Sequence, residues 1–403
     1  MLRVKDTYRY LTIFIFAFSI PLSQYLSVRI LLISVVLSLF FGFKKTLLSN
    51  LLFNSWEILA YSVVLILGLL YTTDLTQGLR VLETNFSVLV IPIIIACLQP
   101  TQKQLNNIWQ SFILGVLTAS VICFLFAINS FIQDKEYTHF FYYNLTDPIG
   151  FQPTYFAYYL SFGICLLLYT LYAKQLAMSR SVIVVGILFL FFMLMLTASR
   201  TVYIGMLFVL SFFILKYFFD ETGKSNRNIA LLSAFLLLVM LLINYFDLNG
   251  SLTVSPESTD YWERFTLWDA ALRANPNPLL GVGTGDYKTA LNQYYQSQGM
   301  ELFANESYNS HNQFIQIYFS NGILGLLALG LLICRPLYLS FKVQNPQGIL
   351  IIFPFIIYGV TEVFLGRFQG IVFFVFCHQL VITQYYIVKP KFLLNKENTL
   401  VFS

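Results

Sequence analysis

The chain has 403 residues, 58% of them hydrophobic and only 11% charged, with a formal net charge of +5. Soluble domains carry about 25% charged residues, so a single water-soluble core is excluded and an integral membrane protein is the class that remains. The mild positive charge is what basic cytoplasmic loops would give, and it asks for no acidic or nucleic-acid partner.

A membrane-spanning helix needs roughly 20 apolar residues. On that measure about twelve spans are expected, near 9–26, 29–43, 56–72, 79–98, 108–132, 153–172, 181–199, 201–219, 228–246, 312–334, 348–365 and 368–388. The first run is followed almost at once by the second, which reads as a retained hairpin and not as a cleaved signal. The stretch 181–219 is about twice one span, so it should be two helices joined at the polar break Thr197-Ala198-Ser199-Arg200-Thr201. The whole chain, 1–403, therefore reads as a single all-α polytopic membrane domain, with one sizeable loop, 247–311, inserted between its ninth and tenth helices. Within that loop a helix is expected from Tyr261 to Ala274, stopped by Asn275-Pro276-Asn277-Pro278.

Orientation follows from the basic residues of short loops. With the N-terminus in the cytoplasm, about two thirds of the 24 Lys and Arg fall inside. That predicts cytoplasmic N- and C-termini and puts the 247–311 loop outside. Arg80, Arg200, Arg264, Arg273, Lys288 and Arg367 then lie on the disfavoured outer side. As a set they can form a positive cavity at the membrane–water boundary; singly, each has the plainer alternative of snorkelling to headgroups.

The longest polar stretch of the chain is 260–327, and it contains the most informative histidine, His311. Of the other two, His378 lies deep in the last apolar span and reads as a packed helix residue, and His139 lies among Phe and Tyr in the 134–150 loop and reads as interfacial. His311 sits in Glu306-Ser307-Tyr308-Asn309-Ser310-His311-Asn312-Gln313. Ser310 or Asn309 is expected to cap the following helix, which would put His311 in its first turn. A neutral imidazole at a membrane–water boundary is a usable general base; on these residues alone the plainer alternative is a polar residue near a helix cap.

Arg200 interrupts an otherwise apolar run. A guanidinium at membrane depth costs roughly 2.5–3.5 kcal/mol on insertion scales, so it needs a distant partner or a ligand anion. Its planar fork suits phosphate oxygens. Arg264 has a local alternative partner in Glu263 or Asp260. The run from Pro278 to Asp286 holds Gly281, Gly283 and Gly285. Its amides can face an anion or a sugar, or the run can be a plain tight turn between helices; it follows no strand and is no dinucleotide fingerprint. None of the five cysteines has Cys-x-x-Cys spacing, and no His/Asp/Glu cluster has metal-ligand spacing, so no metal or other cofactor is expected. No paired carboxylates suggest a glycosidase.

Four features together resemble the O-antigen ligase family, the polymerase–ligase superfamily of bacterial surface-polysaccharide assembly. They are Ala198-Ser199-Arg200-Thr201; Arg264-Phe265-Thr266-Leu267-Trp268-Asp269-Ala270-Ala271 followed by the glycine run from Pro278 to Gly285; Ser310-His311-Asn312-Gln313-Phe314-Ile315-Gln316; and Asn321-Gly322-Ile323-Leu324-Gly325. Leu79-Arg80-Val81-Leu82-Glu83 looks like the family's fourth-span entrance, and Gln152 stands before Pro153-Thr154-Tyr155 where members often carry a histidine.

The resemblance implies a GT-C-like, metal-independent, inverting glycosyltransferase of the bacterial inner membrane. It would move a glycan from undecaprenyl diphosphate to a lipid A–core acceptor, or another glycan acceptor, on the periplasmic face. The family's general base falls on His311 and its diphosphate-binding arginines on Arg200 and Arg264. Arg80, Gly283, Gly285, Asn312 and Gln152 are the further substrate-binding candidates. A polymerase of the same superfamily and a multi-pass transporter are the rival expectations. Half-helix ends and paired charges at mid-membrane would mark the transporter.

Overall fold

A computed structural model describes residues 2–42, 51, 54–174, 178–219, 227–248 and 261–401, and the side chains of all of these except 2–9, 41–42, 243–248, 261–262 and 390–401. Among the described residues every regular element is helical. In chain order they are α1 (Leu2–Ser19), α2 (Gln24–Gly42), α3 (Trp56–Leu69), α4 (Leu75–Thr84), α5 (Ser87–Leu98), α6 (Gln102–Asp134), α7 (Tyr142–Thr146), α8 (Pro153–Tyr172), α9 (Arg180–Leu196), α10 (Arg200–Phe219), α11 (Arg227–Leu248), α12 (Tyr261–Arg273), α13 (Tyr287–Ser297), α14 (Glu301–Asn305), α15 (Gln313–Lys342), α16 (Pro346–Thr361) and α17 (Phe368–Val401).

Among the described residues six stretches are long and apolar enough to cross a membrane: Leu75–Leu98, Gln102–Asp134, Pro153–Tyr172, Arg200–Phe219, Gln313–Lys342 and Phe368–Lys389. Six shorter apolar helices lie at the other expected positions: Tyr10–Ser19, Gln24–Phe40, Trp56–Leu69, Arg180–Leu196, Arg227–Leu242 and Pro346–Thr361. The expectation of about twelve full spans is thus met in part. Local chemistry explains several boundaries. Asp74 caps α4 by accepting the Gln77 N–H at 2.9 Å, Ser179 caps α9 through the Val182 N–H, and Pro153 and Pro346 stand in first turns, where their missing N–H is no loss. The expected break in 181–219 falls between α9 and α10, where Ala198 takes a left-handed φ of 51°.

The helix expected to end at Ala274 ends at Arg273. The Asn275 and Asn277 side chains then fold the chain back, accepting the N–H groups of Asn277, Leu279 and Leu280 at 3.1–3.2 Å. The opening of the predicted 247–311 loop, residues 249–260, lies outside the described residues.

By internal contacts the chain divides into two units: Tyr10–Ile30 with Asn106–Ser258, and Met1–Arg9 with Leu31–Leu105 and Thr259–Ser403. In the first, α8 packs against α9 and α10, and α10 against α11; α8 is buried along most of its length, including Tyr155, Tyr158 and Tyr159. In the second, α15 packs on α3, α16 and α17, and α17 on α5. The polar stretch belongs to this second unit. Its helices α12, α13 and α14 close over a small apolar core of Leu267, Ala270, Ala271, Leu291, Tyr295 and Ala304, which reaches the start of α15 at Phe319.

Candidate functional site

The second unit has one long helix, α15, around which the polar residues collect. Asn312 is its N-cap: the side-chain oxygen accepts the N–H groups of Phe314 and Ile315 at 2.9 and 3.1 Å. The expectation that Ser310 or Asn309 caps this helix is therefore corrected. The Ser310 hydroxyl instead donates to Asn312 O and Gln316 Oε1, and Asn309 Oδ1 takes the His311 N–H at 2.8 Å. His311 consequently stands before the helix and not in its first turn, in a left-handed conformation with φ 44°. A non-glycine residue held there by local hydrogen bonds is the kind of strained position that functional sites retain.

The His311 ring is 28% exposed. It lies against Tyr308, with ring centroids 5.9 Å apart. Its Nδ1 is 3.7 Å from Oε2 of Glu362, a carboxylate 17% exposed. Glu362 follows the last residue of α16 and was not singled out in the sequence. The signal available was that it is the one acid between Pro346 and Val388.

The glycine run is fastened to α3, α4 and α15. Val282 and Gly283 donate to Phe319 O and Ser320 O at 3.0 and 2.9 Å, and Thr284 to Gly68 O at 3.3 Å. The Gly285 N–H goes to Thr72 Oγ1 at 3.1 Å. The Thr284 hydroxyl donates to Leu65 O at 2.8 Å and accepts from the Asn321 amide at 2.9 Å. Asp286 then takes the N–H groups of Thr73 and Asp74, each at 2.7 Å. The amides of Gly283 and Gly285, expected to face an anion or a sugar, are thus already committed to the protein. Asn312 is likewise engaged as a cap. Around this seam burial raises the phenol pKa of Tyr71, Tyr287 and Tyr295. All three therefore stay protonated donors near neutral pH, and Tyr71 uses its proton on Leu280 O at 2.6 Å.

The arginines divide between the units. Arg264 is half-buried on α12, three and seven residues before Leu267 and Ala271, so it shares the face they turn to the small core. Arg80 is exposed on α4, whose Gly78 lies against Gly285. Arg367 and Lys288 are exposed in the same unit. Arg273 is removed from the expected positive set: it makes an exposed pair with Asp269 at 2.7 Å, and such i,i+4 pairs are ordinary helix-surface contacts. Arg200, the first residue of α10, and Gln152, which precedes α8, belong to the other unit; both are half-buried.

The other two histidines have structural partners. His139 Nε2 is 2.5 Å from Asp134 Oδ2. His378 is fully buried in α17, 3.3 Å from Glu57 Oε1. Among the described residues no group of His, Cys, Asp and Glu is arranged to hold a metal ion.

Comparison with known proteins gives two findings. Residues 185–330 match the family model described as O-antigen ligase. The chain is also similar to an uncharacterized protein of Haemophilus influenzae, 26% identical over 139 residues, which is 32% of this chain and 35% of that protein. The similarity thus spans about a third of the relative's length.

Proposed function

We propose, from the premise that residues 185–330 make this chain a member of the O-antigen ligase family, that it is a glycosyltransferase passing a glycan from undecaprenyl diphosphate to a sugar hydroxyl of a lipid A–core acceptor. The setting is the inner membrane, with both termini cytoplasmic and the His311 end of α15 facing the periplasm. The observation that carries the reading is the turn before α15, which holds a partly exposed imidazole just ahead of a capped helix and beside a carboxylate.

A sugar hydroxyl is a poor nucleophile until its proton is removed. His311 Nε2 takes that proton as the acceptor oxygen bonds to the anomeric carbon from the face opposite the diphosphate. The bond from that carbon to the diphosphate oxygen breaks, its electron pair leaves on the diphosphate, and configuration inverts. The charge that grows there needs cations. Arg200 and Arg264 are assigned to it, with Arg80 as a further cation, because guanidinium forks bind phosphate oxygens two at a time. Diphosphate is a good enough leaving group that neither a general acid nor a metal ion is required. Gln152, ahead of α8, is assigned to the glycan. Gly283, Gly285 and Asn312 serve by holding the turn.

Replacement of His311 by Ala tests this. A positioned general base contributes about 10²–10⁴-fold, so transfer from an undecaprenyl-diphosphate donor in reconstituted membranes should fall by that factor without a change in thermal stability. Wild-type turnover would end the proposal. The same assay separates ligase from polymerase. Product on lipid A–core supports the ligase, whereas chain growth on the carrier with no core acceptor present assigns the chain to polymerisation.

A further inference from the structure

We infer that Glu362 is a positioning residue for His311, its carboxylate holding the imidazole with Nδ1 inward and Nε2 toward the acceptor hydroxyl. This rests on the assignment of His311 as base and names a second residue for that step.

Three contacts fix the two groups relative to each other. The Gln313 side chain, 2% exposed, accepts the Leu365 N–H at 2.7 Å. It thereby ties the single turn Phe364–Gly366, just past Glu362, to the first residue of α15. The Phe314 ring packs where a Cβ on Gly359 would meet it at 3.0 Å, so the last turn of α16 lies against the first turn of α15. Glu362 itself leaves α16 in extended conformation, φ −148° and ψ 146°, with its N–H on Tyr358 O at 2.9 Å. The carboxylate is thereby placed beside the ring from a different helix, 51 residues along the chain (362 − 311).

The atom facing the carboxylate is Nδ1, at 3.7 Å. That is longer than a hydrogen bond, and resting catalytic contacts are often long until substrate tightens them. With the ring proton on Nδ1 and pointed at Glu362, the Nε2 lone pair is free to receive the proton of the acceptor. Nδ1–H then donates to the carboxylate while the second proton arrives on Nε2. The imidazolium so formed has its counter-charge in place, and Glu362 takes no proton itself. Tyr308 and Glu362 are the titratable side chains that meet the ring among the described residues.

The test compares Glu362→Gln, Glu362→Asp and the unaltered protein, each reconstituted whole with a polyprenyl-diphosphate donor. For Glu362→Gln, kcat should fall about ten- to a hundredfold, less than loss of the base itself, while KM for the donor and the thermal transition stay unchanged. The acid limb of its pH–rate profile should move to lower pH, because an imidazolium without its counter-charge gives up its proton more readily. Glu362→Asp, which keeps the charge, should recover part of kcat and the original limb. A Glu362→Gln variant with wild-type kcat and acid limb overturns the inference. If Glu362→Gln is less stable, Glu362→Asp decides, and a displaced limb despite its retained charge overturns the inference as well. Should His311→Ala also remain active, it is the assignment of the base that fails; an inactive His311→Ala beside an unaffected Glu362→Gln removes Glu362 alone.

Discussion

The second unit contains two histidine–glutamate pairs, and they differ in almost everything except composition. At the Arg335 end of α15, Glu57 and His378 are both 0% exposed and Arg335 only 12%. The Arg335 guanidinium pairs with Glu57, donates to Asn54 O at 2.9 Å and to Tyr386 Oη at 3.3 Å, and stacks over Trp56 at 5.5 Å. Ser55 donates to Gln379 Oε1 at 3.1 Å, which turns the Gln379 amide nitrogen toward His378 Nδ1 at 3.2 Å. The ring proton of His378 is thereby left on Nε2, facing Glu57. Glu57 Oε1 and His378 Nε2 face each other at 3.3 Å without meeting hydrogen-bond geometry, and both ring nitrogens are buried away from any substrate. At the His311 end the spacing is looser, at 3.7 Å, both groups are partly open, and Nε2 is left to face an acceptor. A dry pair closed in by an arginine serves to lock helices together, whereas a wet pair with slack can take part in proton transfer.

Removing a charge from the closed pair should have the largest effect. Glu57→Ala leaves the Arg335 guanidinium without its counter-charge in a nearly dry site, and breaking a buried pair in this way typically costs about 3–5 kcal/mol. The expected result is a large fall in the thermal transition of detergent-solubilised protein and low membrane yield. Arg335→Met made together with Glu57→Leu should recover much of that loss, since an apolar replacement of a buried ion pair is often neutral. Full stability of Glu57→Ala alone would erase the distinction between the two pairs.

The comparison also explains what could be read from the chain and what could not. Apolar length placed the helices, Pro276 and Pro278 announced the stop after α12, and the break at 197–201 was visible as polarity inside a greasy run. His311 stood out because polar neighbours surround it. Glu362 did not, because its meaning depends on a turn 51 residues away (362 − 311) being brought to it through Gln313. The cap was misassigned for a related reason. Asn309, Ser310 and Asn312 are all good capping residues, and the choice among them is made by Gln316 and by the backbone of residue 311, which no local pattern encodes. The Glu57–Arg335–His378 cluster was hidden because its members lie on three helices, each of which reads as an apolar span. The convergence expected for Arg200, Arg264 and His311 involves both units, so it stands as a proposal.

A middle-sized effect should come from Gly322, which couples the glycine run to α15. It interrupts the helix with φ 62° and ψ −157°, and a Cβ there would stand 2.2 Å from Leu279 O. Ile323 N donates to Pro278 O at 2.9 Å beside it. Gly322→Ala should cost about 1–3 kcal/mol through backbone strain alone, visible as a lower thermal transition. Activity should fall further than stability, because the displaced run is bonded to Phe319 and Ser320 of α15, the helix whose start sets the His311 turn. If Gly322→Ala and the unaltered protein melted together, the seam would not be holding α15.

The smallest effect on stability, and the sharpest test of the contrast, is expected at Asn312. As an ordinary cap its replacement by Ala should cost about 0.5–2 kcal/mol. Its neighbour gives it a second consequence. The two N–H groups it holds define where α15 begins, and the backbone bend at His311 is set against that start. Asn312→Ala should therefore lower kcat by more than its stability loss explains, while Asn312→Asp, which accepts the same two N–H groups, should restore both. Cap substitutions at the start of other helices, such as Ser179→Ala before α9, should cost stability with no matching loss of kcat. If Asn312→Ala and Ser179→Ala behaved alike in both measurements, the turn would be holding a helix and nothing more, and the open pair would lose its claim to differ from the closed one.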